Sequence, residues 1–442
     1  MTRRRKKKYP QDAVKVEIES LSHDGRGIAH CDGKTVFIHG VLPGETITFI
    51  YTDIRKDIAE GRLDTVLQAS PLRIEPKCPH SGVCGGCSLQ HLDSSEQIKV
   101  KRDLLEGQLR HIGKVEPDGF FPSLTGPHWG YRHKARLGVK YVAKKGRVLV
   151  GFRERGSSFL AEIERCVVLD PKVGNQLLRL SELIGSLSIY QKMPQIEMAM
   201  GDSRCALVFR VLETPSDSDK ILLRQFASQF EFDVYLQPAG PDSIVPLYPT
   251  DPPDVSYSLP QYKIDFAFKP TEFTQVNVEI NRKMVDRVIE VLQLDSEDIV
   301  LDLFCGLGNL TLPIATFAGS VVGVEGSYSL VERAKENSRR NGLLNVGYYV
   351  SDLAGDLTGQ PWINRNYNKV LLDPSRAGAQ EILPYFRKWN TERIVYVSCN
   401  PSTLARDAGI LVNDLGYRLV MAGVMDMFPQ TAHVESIALF QK

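Results

Sequence analysis

Apolar and polar residues alternate in short runs over residues 12–68, as in Val14-Lys15-Val16-Glu17-Ile18 and again over 34–39 and 45–51. A period of two is that of strands. Gly25, Gly27, Gly33, Gly40 and Gly44 punctuate it, so the pattern predicts a small OB-like β-barrel. Residues 71–92 are rich in Cys, Pro and Gly and have no period. A helix is predicted over Asp93–Ile112, with Ile98, Leu104, Leu105, Leu109 and Ile112 as its apolar stripe and Ser94 or Ser95 as its cap. Residues 129–265 read as mixed α+β. From about Phe266 strands and helices alternate, with candidate strands at 299–304, 320–325, 346–350, 369–373, 393–398, 418–422 and 434–440. Helices are expected between the first five, which gives a doubly wound, Rossmann-like parallel α/β sheet. The last two strands are joined without a helix and are expected to pair antiparallel. There are no internal repeats.

Composition changes this picture little: of 442 residues, 43% are hydrophobic and 24% charged, as in an ordinary globular chain. No apolar stretch is long enough for a spanning helix, and no apolar segment follows the basic N-terminus. The expectation is a cytoplasmic protein with no membrane partner. Net charge is only +1, but its distribution is uneven. Residues 3–8 are six consecutive cations, expected to form a disordered arm within 1–11 that serves solubility or seeks RNA phosphate. Arg132–Arg155 holds nine Lys or Arg and one acid, and the strand period puts Lys134, Arg136 and Lys140 on one face. That face is either a solvated edge or a surface for RNA.

The turn after the first candidate strand of the α/β region reads Asp302-Leu-Phe304-Cys-Gly306-Leu-Gly308-Asn309. Two glycines let the backbone approach a ligand, but the third glycine of a dinucleotide fingerprint is absent. Asp302 would oppose a pyrophosphate. Glu325 lies 23 residues later, at a strand end where an acid can accept ribose hydroxyls, and Asp352 after the third strand can take an adenine amino group. Together these favour S-adenosylmethionine over NAD. Ser329-x-x-Glu332 fits a capping box for the following helix. Cys305 reads as a small spacer.

Three further segments end or begin strands at the same edge: Asp373-Pro-Ser-Arg-Ala-Gly378, Ser398-Cys399-Asn400-Pro401 and His433-Val-Glu435. In this order and spacing they resemble the RNA uracil-C5 methyltransferases, as does Phe273-Thr-Gln-Val-Asn277 ahead of the α/β region. The resemblance covers nearly the whole chain. It implies a class I methyltransferase fold in which Gln275, Phe304, Asn309, Glu325, Asp352 and Asp373 contact S-adenosylmethionine. Cys399 would be the nucleophile and Glu435 the base. The residue types suit the chemistry: C5 of uracil becomes nucleophilic only after a thiolate adds at C6, and a carboxylate must then remove the C5 proton.

Eight cysteines in a chain expected in a reducing compartment favour metal, cluster or catalytic roles over disulfides. Cys78-x5-Cys84-x2-Cys87 has ligand spacing, with Cys166 as the candidate fourth thiol. Spacing leaves zinc and iron–sulfur both open. The resemblance implies a [4Fe–4S] cluster, because the subfamily acting on 23S rRNA carries one together with an N-terminal TRAM barrel. It further implies 23S rRNA as partner, with U1939 as the expected target, and no obligate protein partner. Alternatives are another 23S uridine (747-type), a tRNA uridine, or a non-catalytic ribosome assembly factor. The expected domains are the arm 1–11, a TRAM barrel 12–70, a central iron–sulfur and RNA-binding domain of 71–92 and 125–265, and a methyltransferase domain of 93–124 and 266–442.

Overall fold

A computed structural model describes residues 9–442, and the predicted basic arm at 3–8 lies outside the described residues. The described chain forms two compact units. The first draws on three stretches, up to Lys101, Arg153–Ala161 and Phe428–His433. The second comprises Arg102–Phe152, Glu162–Met427 and Val434–Lys442. No described helix is long and apolar enough to cross a membrane.

In the first unit, six strands between Val14 and Gln68 form one sheet. Its alternating positions supply a common core that includes Val16, Ile18, Val36, Ile38, Ile47 and Phe49. The period of two thus turns alternate residues of the longer strands into the core, as the sequence predicts, while the two-residue strand Ser20–Leu21 adds none. The cysteine-rich loop that follows is held by the strap Arg153–Ala161. Gly85 N–H donates to Arg153 O at 2.8 Å and Arg155 N–H to Val83 O at 2.9 Å. The segment Phe428–His433 also closes on residues 88–97. Ser88 and Leu89 N–H both donate to Gln430 O at 3.0 Å, and Gln97 exchanges side-chain hydrogen bonds with buried Gln430. The predicted helix begins at Ser94. Asp93, rather than Ser94 or Ser95, caps it, its Oδ1 accepting from Ser95 N–H at 2.8 Å.

The second unit contains two larger sheets. Its six-stranded sheet runs Val245–Tyr248, Asp233–Gln237, Cys205–Arg210, Gln195–Met200, Lys134–Val142, Arg147–Gly151. On Lys134–Val142, Arg136 and Lys140 are exposed as the strand period requires. Lys134 departs from that face. Its ammonium turns inward to Pro270 O, to Glu272 O at 2.9 Å and to Glu197 at 3.4 Å, anchoring the segment ahead of Gln275.

The eight-stranded sheet has the order Val346–Val350, Ser320–Glu325, Ile299–Leu303, Lys369–Leu372, Arg393–Ser398, Glu435–Gln441, Arg418–Met425, Gly119–Phe120. The first five are parallel, and Glu435–Gln441 runs antiparallel between Arg393–Ser398 and Arg418–Met425, as expected. Two expectations fail locally. No helix links Val346–Val350 to Lys369–Leu372; Asp352 and Asp356 instead close side-chain turns on Ala354 and Thr358 N–H at 3.0 and 2.9 Å. Ser329 does not cap the next helix, Tyr328–Arg340: Ser327 does, accepting from Leu330 N–H, and Ser329 is already the helix's second residue.

Candidate active site

The carboxyl ends of the parallel strands carry most of the residues that the sequence singles out. After Ile299–Leu303 the chain bends through Phe304 at φ +67°, Gly306 at +56° and Gly308 at +97°. Such angles suit glycine, and a Cβ on Gly308 would lie 2.5 Å from Leu312 Cδ1. Asp302 is buried under this turn and accepts from Thr311 Oγ1 at 2.5 Å, so it staples the loop to the short helix Thr311–Ala315. Burial raises its carboxyl to about 7, with Asp373 and Glu325 adding repulsion. Cys305 is buried and its thiol is pushed up by burial, which suits a spacer.

Glu325 ends its strand with both oxygens engaged: Oε2 accepts from Gly306 N–H at 3.2 Å and Oε1 from Ser327 N–H at 2.9 Å. It braces the glycine loop. Asp352 is exposed just beyond the third strand. Asn309 is tied into a network that the sequence did not reveal. Its Oδ1 accepts from Tyr257 Oη at 2.8 Å and Asn281 Nδ2 at 3.0 Å, and its Nδ2 donates to Asn281 Oδ1 at 2.8 Å. Asn281 sits on helix Val278–Leu292, so the segment carrying half-buried Gln275 is locked to the glycine loop. No local sequence signal marks Tyr257 or Asn281, because each acts through a partner distant in the chain.

Two further residues that the sequence singles out, Cys399 and Glu435, lie one strand further. Ser398 is paired with Ser436 across antiparallel strands. Cys399 and Glu435 are the next residues beyond that last pair, and the Glu435 charge acts on the Cys399 thiol. Cys399 is half-buried, and its thiol is pushed up to about 11 by burial first, then by the Glu435 and Asp373 charges, with Arg376 opposing. Burial also raises Asp373 to about 7. Beyond the thiol, Ser398 Oγ bonds both Asn400 N–H and Asn400 O, at 3.1 and 3.0 Å, closing a tight turn. Asn400 Oδ1 then caps helix Pro401–Gly409 through Ser402 N–H at 3.1 Å, with Pro401 preset at its first position.

Residues 254–442 match the family described as tRNA (Uracil-5-)-methyltransferase, and residues 7–63 match the TRAM domain. The 23S rRNA (uracil(1939)-C(5))-methyltransferase RlmD of Methylococcus capsulatus is 54% identical over 440 residues, covering 100% of this chain and 99% of that protein. The chain belongs to the RNA uracil-C5 methyltransferase family. The RlmD of Legionella pneumophila (strain Corby) is 50% identical over 427 residues and 96% of each chain. Among solved structures, the Pyrococcus abyssi tRNA (uracil-54, C5)-methyltransferase in complex with S-adenosyl-L-homocysteine superposes with a TM-score of 0.72. It is 23% identical and covers 97% of this chain and 100% of that one, which shows a shared fold. In an RNA uracil-C5 methyltransferase, a thiol and a carboxylate on neighbouring strand ends beside a nucleotide-type loop are the two groups that addition and proton removal require.

Of the cluster candidates, Cys78, Cys84 and Cys87 share the strapped loop of the first unit, and Cys166 belongs to the second. Among the described residues, no three of His, Cys, Asp and Glu converge closely enough to hold a metal ion. The loop also carries polar contacts to its sulfur-bearing turn. Gly86 N–H donates to Cys84 Sγ at 3.4 Å. Arg155 Nη2 donates to Ser81 O at 3.0 Å and Cys87 O at 2.8 Å, and its guanidinium interacts favourably with the Cys84 and Cys87 sulfurs against its own burial. Cys205 is buried in a strand, where burial lifts its thiol to about 12.

Proposed function

We propose that the chain methylates C5 of a uridine in 23S rRNA, U1939 in that numbering, with S-adenosylmethionine as methyl donor. The observation that carries the reading is the register that sets Cys399 and Glu435 just beyond the Ser398–Ser436 pair, on a chain 54% identical over its full length to an enzyme named for that reaction. The uridine leaves its stack to reach the site. Cys399 adds as thiolate to C6, and the electron pair moves through C5 to the O4 enolate. S-adenosylmethionine supplies the methyl group that C5 takes. Glu435 then accepts the C5 proton, the C5–C6 double bond re-forms, and the thiolate leaves. Gln275, Phe304, Asn309, Glu325, Asp352 and Asp373 are assigned to the donor's site. A protein acting on ribosomal RNA in this way works in the cytoplasm.

Labelled donor and protein-free 23S rRNA should yield one methylated uridine. Cys399→Ala should give neither product nor adduct. Glu435→Gln should accumulate a methylated covalent adduct, visible as a retarded band on a denaturing gel. An adduct formed by Cys399→Ala, or full turnover by Glu435→Gln, would sink the assignment.

The reading includes a [4Fe–4S] cluster on Cys78, Cys84, Cys87 and Cys166. It is supported by the cysteine spacing, the N–H donated to Cys84 Sγ and the half-buried guanidinium beside the loop. Anaerobically purified protein should carry about four irons and four sulfides per chain. Arg155→Ala should lower that content, and stoichiometric zinc without iron would replace the cluster in this account.

A further inference from the structure

Helix Pro401–Gly409 starts two residues beyond the nucleophile and carries Arg406 and Asp407 on consecutive positions. Asp407 is fully buried, yet its carboxylate faces backbone and polar groups: Oδ2 accepts from Ala379 N–H and from Tyr396 Oη, both at 2.7 Å. Its Oδ1 accepts from Arg406 Nε at 2.8 Å and pairs with Arg406 Nη2 at 2.7 Å. That same Arg406 Nη2 donates to Ala377 O at 2.9 Å. A third contact comes from the turn itself, where Asn400 Nδ2 donates to Arg376 O at 3.0 Å. Three side chains of this helix and its cap, Asn400, Arg406 and Asp407, thus grip the loop that begins at Asp373. The approach is close: a Cβ on Gly378, at φ +86°, would lie 2.4 Å from Arg406 Nη2 and 2.7 Å from Asp407 Oδ2.

Packing alone does not call for a carboxylate here, because an apolar side chain of similar volume stabilises a buried helix face at least as well. A charge held at this depth and aimed at one loop's amide specifies orientation. We propose that Asp407 and Arg406 are positioning residues that lock the Asp373–Gly378 loop to the Cys399 turn, so that Asp373 and the thiol keep one separation through the reaction. The proposal rests on the methyltransferase reading for its kinetic consequence, but not for its structural one.

The test uses full-length Asp407→Asn and Arg406→Gln, the second at a part-exposed position where glutamine keeps a hydrogen-bond donor, and each is checked for native folding before assay. In both, the single-turnover rate of adduct formation with 5-fluorouridine RNA should fall about tenfold or more, as expected when reacting groups lose alignment. The dissociation constant for S-adenosylmethionine should rise less than the adduct rate falls, since of the residues assigned to the donor only Asp373 lies on the loosened loop. Hydrogen exchange of the 373–379 peptide should quicken in both variants, a readout that needs no RNA. Unchanged exchange there overturns the lock, whatever the enzyme methylates. Quickened exchange with a native adduct rate, or a loss confined to donor affinity, overturns the positioning role. Failure of the native protein to form any adduct would instead count against the methyltransferase reading, leaving the exchange result to decide the lock.

Discussion

Cys399, the proposed nucleophile, is held in an unready state. Burial and two neighbouring carboxylates hold its thiol at about 11, so at neutral pH little thiolate exists in the unliganded protein. The sign is fixed by charge: any change that removes negative charge nearby lowers the pKa and raises the thiolate fraction. Glu435→Gln should therefore speed alkylation of Cys399 by iodoacetamide at pH 8 by about three- to tenfold, and Arg376→Gln should slow it. In the native protein the rate should climb with pH until the thiol titrates. Mass spectrometry of the peptide containing Cys399 reads all three, and slower alkylation of Glu435→Gln would contradict the geometry. At this scale the sequence was informative about identity and silent about state. Cys399, Glu435 and Asp373 stand out by motif, but nothing local in the sequence states that burial lifts the thiol. Asp407 was missed altogether, because a carboxylate in a short amphipathic helix reads as a solvent-facing residue until its fold is known.

Among the elements, the glycine turn and its supports dominate. Gly308→Ala would drive a methyl into Leu312 at a left-handed backbone position, so it should destabilise the protein by about 1–3 kcal/mol. Calorimetry should also show donor affinity reduced by about tenfold or more, as the loop can no longer approach the ligand. Native affinity in that variant would remove the turn from the donor site. Strands with strong apolar runs were legible to the residue: Ser320–Glu325, Val346–Val350 and Arg393–Ser398 fall where the pattern puts them. Elements set by side-chain turns were not. Asp352 and Asp356 replace the helix expected after the third strand, and the two-residue strand Gly119–Phe120 is too short to carry a period at all. The cap at Ser327 displaced the one expected at Ser329 because a capping oxygen sits outside the helix, and Ser329 is already wound into it.

For the whole molecule, the barrel, the mixed sheet and the parallel sheet were each visible as a change of period along the chain. The composition of the first unit was not, since its last contribution, Phe428–His433, comes from beside the reaction motifs. Gln430 is buried, and its main-chain and side-chain bonds to Ser88, Leu89 and Gln97 are contacts between residues more than 300 positions apart. That feature sets a calendar for the growing chain. The barrel strands are made before the piece that closes the cysteine loop, which follows those cysteines by more than 300 residues. Until it arrives, the thiols of Cys78, Cys84 and Cys87 belong to an unfinished fold, open to oxidants. A segment made late, rather than the loop's own neighbours, completes their surroundings.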